Sequence, residues 1–134
     1  MNRFVISAAL LALGSTAALA QSPAGDPAKG ANVFKKCMAC HAVGEGAKNK
    51  VGPELNGIVG RKMGAVPGFN YSDTLKEHNA KGDVWTPEVL SAYLENPKAY
   101  MPGIKMVFAG LPKETDRADL LAYLSGFNED GTKK

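Results

Sequence analysis

The segment Cys37-Met38-Ala39-Cys40-His41 constrains this chain more than any other, because it contains both cysteines and one of the two histidines. Two thiols three positions apart, followed at once by an imidazole, form the pattern that attaches haem c covalently. The thiols add to the vinyl groups of the porphyrin, and the imidazole then lies beneath the iron. The segment therefore predicts one haem c, bound through Cys37 and Cys40, with His41 as the proximal iron ligand.

Other uses of these residues account for less of the pattern. A dithiol redox pair usually lies next to a strand–helix unit, and the sequence shows none. A zinc site needs two further Cys or His ligands at suitable spacing, and beyond the motif only His78 remains. A structural disulfide would leave His41 unexplained. Haem attachment is the interpretation that uses the whole motif.

The first 20 residues have the pattern of a secretory signal peptide rather than of folded structure. Arg3 gives the positive start, residues 4–13 are almost wholly apolar, and Ala18-Leu19-Ala20 is a small-x-small cleavage pattern. The apolar run is shorter than the ~20 residues of a bilayer-spanning helix. We therefore predict a cleaved signal peptide over residues 1–20, a mature chain that begins at Gln21, and a periplasmic location.

The mature chain, residues 21–134, has the length of a single domain and shows neither an internal repeat nor a linker. The whole sequence has a formal net charge of +3, which is too mild to indicate nucleic-acid binding. No segment after the signal peptide is long enough to span a membrane, so we expect a soluble protein without stable membrane insertion. We also expect a monomer. The polar ends, residues 21–25 and 128–134, are not expected to pack.

Helix-start signals and apolar spacing predict an all-α domain. Asp26 before Pro27 and Thr86 before Pro87 are N-cap and first-turn pairs, and both introduce helical apolar spacing. Helices are predicted over about 27–36 and 87–96, from about 115 onward, and as a short segment within 72–78. No strand alternation is found. Long loops, chiefly 42–85, are expected to wrap the haem, which supplies the centre of the core.

The residue on the opposite face of the iron decides the function. An open position suits gas or peroxide chemistry, whereas a filled one suits electron transfer. His78 lies among charged residues and is expected to be a solvated surface side chain. Residues 96–106 form a predicted helix-free loop that contains two prolines and a glycine, and the prolines stiffen it. This loop contains Met101 and Met106, and the residues alone do not separate these two candidate ligands.

Motifs spread over nearly the whole mature chain point to one family. They are Cys37-x-x-Cys40-His41, Gly52-Pro53-x-Leu55, Gly60-Arg61-Lys62, Pro67-Gly68-Phe69-x-Tyr71, Trp85, Tyr93-Leu94-Glu95-Asn96-Pro97 and Lys105-Met106-x-Phe108-Ala109-Gly110. Together they resemble the class I c-type cytochromes, namely bacterial cytochrome c2 and mitochondrial cytochrome c. The resemblance implies the cytochrome c fold, with about three main helices, short additional ones, and long loops around one covalent haem.

The resemblance also implies roles for single residues. It makes Met106 the distal iron ligand and Met101 a packing residue, and it assigns to Pro53 the carbonyl that orients His41. Three further residues match those that neutralise or hydrogen-bond the haem propionates in the family, namely Arg61, Tyr71 and Trp85. Tyr93 matches the family's tyrosine near the distal ligand, and Gly30 matches its glycine at a helix crossing.

Two departures from the family pattern stand out. Ile104 occupies the place of a threonine that helps to bind a propionate in mitochondrial relatives, so that contact should be absent. The loop between Tyr71 and Trp85 is longer than in those relatives, and it contains His78. The sequence does not indicate which residue, if any, replaces the family's buried asparagine in this loop.

The resemblance implies an electron carrier and not an enzyme. It would shuttle electrons from a quinol-oxidising membrane complex of the cytochrome bc1 type to a reaction centre or a terminal oxidase. Donation to a periplasmic peroxidase or another reductase is the alternative. Acidic docking surfaces would bind it transiently through lysines near the exposed haem edge, namely Lys35, Lys36, Lys50, Lys98, Lys105 and Lys113.

Two other classes of function fit less well. A haem enzyme would need an open iron, a second haem motif or added catalytic residues, and the sequence shows none of these. Gas-binding cytochromes of the four-helix type usually carry the haem motif near the C-terminus. Here the motif lies near the start of the mature chain.

Overall fold

The computed structural model describes residues 24–134. Its helices are α1 (Pro27–Phe34), α2 (Asp73–Lys81), α3 (Pro87–Glu95), α4 (Pro97–Tyr100) and α5 (Glu114–Leu124). The described residues contain two isolated β-bridges and no sheet, so the predicted all-α domain with long loops is confirmed. No helix within residues 24–134 is long and apolar enough to cross a bilayer. The predicted signal peptide lies outside the described residues.

Side chains begin the helices where the sequence predicts a start. The Asp26 carboxylate accepts hydrogen bonds from the backbone N–H groups of Ala28 and Lys29, and Thr86 Oγ1 accepts one from Val89. Helix α1 ends at Phe34, two residues before the predicted end. From there the backbone bonds span three residues instead of four, which tightens the chain into the haem motif.

The prediction of a helix-free loop over residues 96–106 is wrong, because α4 occupies four of these residues. Asn96 accepts a hydrogen bond from the backbone N–H of Ala99, and Pro97 follows it at the first helical position. This pair repeats the cap-then-proline signal that begins α1 and α3. Pro97 therefore begins a helix here as well as ending the preceding one.

Helices α1 and α5 cross at a glycine, as the family resemblance implies. Gly30 is buried, and a Cβ atom added to it would collide with the backbone carbonyl of Asp119. Next to the crossing, the Asp26 N–H donates to Asp119 Oδ1 at 2.7 Å. The backbones therefore approach more closely than a side chain at residue 30 would allow.

The prediction that the C-terminal tail does not pack is also wrong. The Asn128 N–H donates to the Thr132 carbonyl at 2.8 Å, and the Lys134 N–H donates to the Gly126 carbonyl at 2.8 Å. Asp130 accepts from the Thr132 N–H and hydroxyl, and these bonds lower the pKa of its carboxyl. These bonds therefore stabilise the C-terminal turn, residues 126–134, while Asp130 is ionised. Their contribution to its stability is lost as acid protonates the carboxylate.

At the other end of the domain, residues 21–23 of the polar lead-in lie outside the described part of the chain. Gly25 packs against the backbone carbonyl of Ala118, where a Cβ atom would collide. The lead-in is therefore packed at least at its last residue, contrary to the prediction.

Candidate haem-binding site

A cavity of about 440 Å³ brings most of the predicted site residues together. Its walls are largely apolar, which suits a flat hydrophobic cofactor. Eight of the nine predicted site residues line it, namely Cys40, His41, Pro53, Arg61, Tyr71, Trp85, Tyr93 and Met106. Cys37 is not among the lining residues; it is half-buried against the core at the end of α1.

The haem motif places His41 against one wall of the cavity. The N–H groups of Cys40 and His41 both donate to the Cys37 carbonyl, at 3.1 and 2.9 Å, so the motif continues as a helical turn. His41 Nδ1 lies 2.7 Å from the Pro53 carbonyl oxygen, which fixes Nδ1 as the protonated nitrogen and leaves Nε2 as the free donor atom. A Cβ atom on Gly52 would collide with the imidazole ring, so this position needs glycine.

The surroundings of His41 favour its neutral form. Burial lowers the pKa of the imidazole, and the positive charge of Arg61 acts in the same direction. The hydrogen bond to Pro53 acts in the opposite direction; its effect is smaller than that of burial and larger than that of Arg61. A neutral imidazole is the form that binds a metal ion.

A ladder of hydrogen bonds joins residues 40–44, which include His41, to residues 52–56. We call residues 40–56 the proximal loop. The Gly52 N–H donates to the Cys40 carbonyl at 2.9 Å, and the Leu55 N–H donates to the Ala42 carbonyl at 3.0 Å. The Asn56 side chain then holds both backbone groups of Gly44, at 2.8 and 3.0 Å. The bond between His41 and Pro53 lies within this ladder.

The structure separates the two methionines that the sequence leaves equal. Met106 lines the cavity, and the Tyr93 hydroxyl lies 3.9 Å from its sulfur. Burial raises the pKa of Tyr93 to about 12, so this hydroxyl stays protonated and able to donate. Met101 is 3% exposed and belongs to the core cluster instead.

Hydrogen-bond donors gather at another part of the cavity. Arg61 Nη1 donates to the Asn56 carbonyl at 2.8 Å, and Nη2 donates to the Glu54 carbonyl at 3.0 Å. Arg61 Nε is buried without a hydrogen-bond partner among the described residues. Tyr71 accepts the Val66 N–H at 3.0 Å and keeps its own proton to donate.

Sequence reasoning missed Ser72, which lines the same cavity and is 3% exposed. Its Oγ accepts the Leu75 N–H at 3.2 Å as the N-cap of α2, so its hydroxyl proton remains available. A usable signal existed, because Ser72 directly follows Tyr71 and precedes an acidic residue at a helix start.

These donors fit the acidic edge of a haem. A buried guanidinium nitrogen without a partner is costly unless an acceptor meets it, and a propionate carboxylate is such an acceptor. Trp85 completes the wall, with its ring 4.9 Å from that of Tyr93. Ile104 also lines the cavity and has no polar side-chain atom, consistent with the missing propionate contact.

The long loop between Tyr71 and Trp85 forms α2, which extends to Lys81 and so beyond the predicted segment. His78 is not a fully solvated side chain: it is 30% exposed, and its Nδ1 lies 2.6 Å from Asp83 Oδ2. His78 is absent from the cavity lining, so it takes no part in the site described here.

The six lysines predicted near the haem edge are all exposed. Lys105 lines the cavity itself, and its Nζ donates to the Asn70 carbonyl at 3.2 Å. Lys50 Nζ donates to the carbonyl of Met38 within the haem motif, at 3.0 Å. Two of the six therefore contact the cavity or the motif directly.

Known proteins resemble this chain over most of its length. The cytochrome c family model matches residues 27–127. Cytochrome c-550 of Ancylobacter novellus is 82% identical over 107 residues, which cover 80% of this chain and 100% of the relative. Cytochrome c2 of Blastochloris viridis is 51% identical over 118 residues, which cover 88% of this chain and 91% of the relative.

A solved structure supports the same assignment. Cytochrome c2 from Rhodospirillum centenum has a TM-score of 0.74 and 47% sequence identity, covering 78% of this chain and 99% of that chain. The predicted cytochrome c fold is thus confirmed, and so is covalent haem c, since Cys37 and Cys40 stand in the expected positions of the attachment motif. This chain belongs to the cytochrome c family, whose members are electron carriers.

Proposed function

We propose that His41 and Met106 ligate the haem iron from its two faces, and that the protein acts as a one-electron carrier and not as an enzyme. One observation carries the proposal: His41, with Nε2 free, and the thioether of Met106 line the same cavity. Two protein ligands leave no iron position open for a substrate. A filled iron suits electron transfer rather than catalysis.

Bound haem c supplies an iron centre that gains or loses a single electron. The chain contributes rigidity around it. Pro53 and Gly52 fix the imidazole ring of His41, and Tyr93 donates to the sulfur of Met106. Because both side chains are held in place, neither needs to move when the charge changes.

Carbon monoxide tests the proposed ligation. We expect the reduced protein at neutral pH to show a low-spin visible spectrum that carbon monoxide leaves unchanged, because Met106 occupies the position that the gas needs. Rapid carbon monoxide binding would mean an open iron, and it would support a gas-binding or peroxidase-like function instead. A midpoint potential measured on the same sample should be fairly high, since thioether ligation favours ferrous iron.

We further propose that the carrier works in the periplasm, after cleavage of residues 1–20. It would take electrons from a quinol-oxidising complex of the cytochrome bc1 type and pass them to a reaction centre or terminal oxidase, with a peroxidase or other reductase as the alternative acceptor. The relatives named cytochrome c2 support a carrier role. The intact mass of the exported protein should correspond to a chain that starts at Gln21 with one haem; retention of residues 1–20 would contradict the cleavage.

Exposed lysines around the site should steer the carrier to acidic partner surfaces. We expect its reaction rate with a purified membrane redox complex to fall about 10-fold or more as salt rises from low to physiological ionic strength, because salt screens the attraction. Lys36→Gln should lower the low-salt rate, whereas Lys81→Gln, on α2 outside the predicted ring, should not. Reaction rates that change neither with ionic strength nor with Lys36→Gln would contradict electrostatic docking.

A further inference from the structure

The C-terminal turn, residues 126–134, packs on the chain that surrounds the proximal histidine. Gly131 is buried with a φ of +85°, and a Cβ atom there would collide with the Gly44 carbonyl. A second contact joins the turn to Gly57, where an added Cβ atom would lie 2.7 Å from Glu129 Cγ. The turn therefore covers Gly44, which Asn56 holds within the proximal loop, and Gly57, which directly follows the loop.

Hydrogen bonds connect this covered end to the haem-binding residues. Asn56 holds both backbone groups of Gly44, and its own carbonyl accepts Arg61 Nη1 at 2.8 Å. Further along the ladder, the bonds from Gly52 to Cys40 and from Leu55 to Ala42 enclose the contact between His41 and Pro53.

We propose that the C-terminal turn is a brace that positions His41 and Arg61 through the proximal loop. The turn packs on the end of the hydrogen-bond ladder. It thereby keeps the Pro53 carbonyl hydrogen-bonded to His41 Nδ1 and the Asn56 carbonyl hydrogen-bonded to Arg61 Nη1. The contact with Pro53 makes the imidazole a stronger electron donor. The turn thus acts on the redox centre from outside the cavity, and this last step rests on the proposed ligation by His41.

A brace and a general stabilising contact differ in which backbone amides exchange faster when the turn is lost. If the turn holds the proximal loop, its loss should free the amides of Gly52 and Leu55 while the α5 amides keep most of their protection. If the turn only adds global stability, all of these amides should exchange faster by the same factor. Native-state hydrogen exchange measures this difference directly.

The main variant is the holoprotein with the chain ended after Phe127. The removed segment contains Glu129, Asp130, Lys133 and Lys134, so the side-chain charges removed balance. We expect exchange at Gly52 and Leu55 to become about tenfold faster relative to α5, the size of effect that losing one or two hydrogen bonds produces. Equal acceleration at all sites, or none, would overturn the brace.

Glycine substitutions give a matched pair within the full-length chain. Gly131→Ala places a side chain against Gly44, whereas Gly82, outside the proximal loop, has a similar positive φ of +81° and nothing within 4 Å of an added Cβ atom. Both alanine variants carry backbone strain, but only Gly131→Ala disturbs the packing on Gly44. We expect selective loss of protection at Gly52 and Leu55 in Gly131→Ala alone; the same loss in Gly82→Ala would show that strain is sufficient.

The midpoint potential provides the second readout. A looser contact with Pro53 makes His41 a weaker donor to ferric iron, so the potential of the shortened protein should rise. An unchanged or lowered potential would remove the redox part of the proposal. The exchange measurement depends only on the fold, so a parent protein that lacks a low-spin spectrum would contradict the ligation without deciding the brace.

Discussion

Replacement of Met106 by alanine is expected to abolish the thioether charge-transfer band of the ferric protein and to lower its midpoint potential. Axial ligands set haem potentials over a range of ~0.8 V, and loss of a thioether removes a ligand that favours the ferrous state. The reduced variant should also bind carbon monoxide, which the parent protein resists. Absorption spectroscopy and potentiometry on the same samples measure all three changes.

Met101→Ala is the matched control, because it removes the same thioether from the same segment of chain. Met101 is 3% exposed and packs in the core, so we expect a loss of about 2–5 kcal/mol in the free energy of unfolding. The charge-transfer band should remain at neutral pH. A band that survives in Met106→Ala and disappears in Met101→Ala would reverse the ligand assignment.

Gly30→Ala should destabilise the protein by about 3 kcal/mol or more, the upper end of the usual cost of overpacking. A glycine-to-alanine change inside a helix normally stabilises it by ~1 kcal/mol, so the expected sign is reversed. The cause is the Asp119 carbonyl, a backbone group of α5 that cannot move aside without separating the helices. Denaturant unfolding of the holoprotein, followed by circular dichroism, measures the effect.

Asn32→Ala provides the control within the same helix. Asn32 is exposed, so its replacement changes helix propensity without adding bulk to the crossing. We expect it to leave the protein as stable as before or slightly more stable. If Gly30→Ala behaves in the same way, α1 and α5 do not approach as closely as the structure places them.

Local chemistry explains which helices the sequence predicts. Asp26 with Pro27 and Thr86 with Pro87 each combine a cap with a fixed φ, and α1 and α3 begin there. Helix α5 begins at Glu114, slightly before the predicted start, because Lys113 provides no side-chain cap to mark it. The tail escapes prediction for another reason: Gly131 is buried by a distant partner, Gly44, which no local pattern reveals.

The site shows the same division between local and distant information. The haem motif is contiguous, so Cys37, Cys40 and His41 are readable without a fold. Met101 and Met106 have the same chemistry in the same segment, and only packing separates them, with Met106 at the cavity and Met101 in the core. The partnerless Nε of Arg61 likewise depends on where Glu54 and Asn56 place their carbonyls.

The crossing of α1 with α5 also sets the entropic cost of closing the domain. Helix α1 ends at Phe34 and α5 begins at Glu114, so their contact closes a long loop that contains the haem motif and the three helices between them. Fixing the ends of a long loop costs chain entropy before the new contact repays it. Covalent haem restrains part of that loop, so its attachment lowers the cost of bringing Gly30 against Asp119.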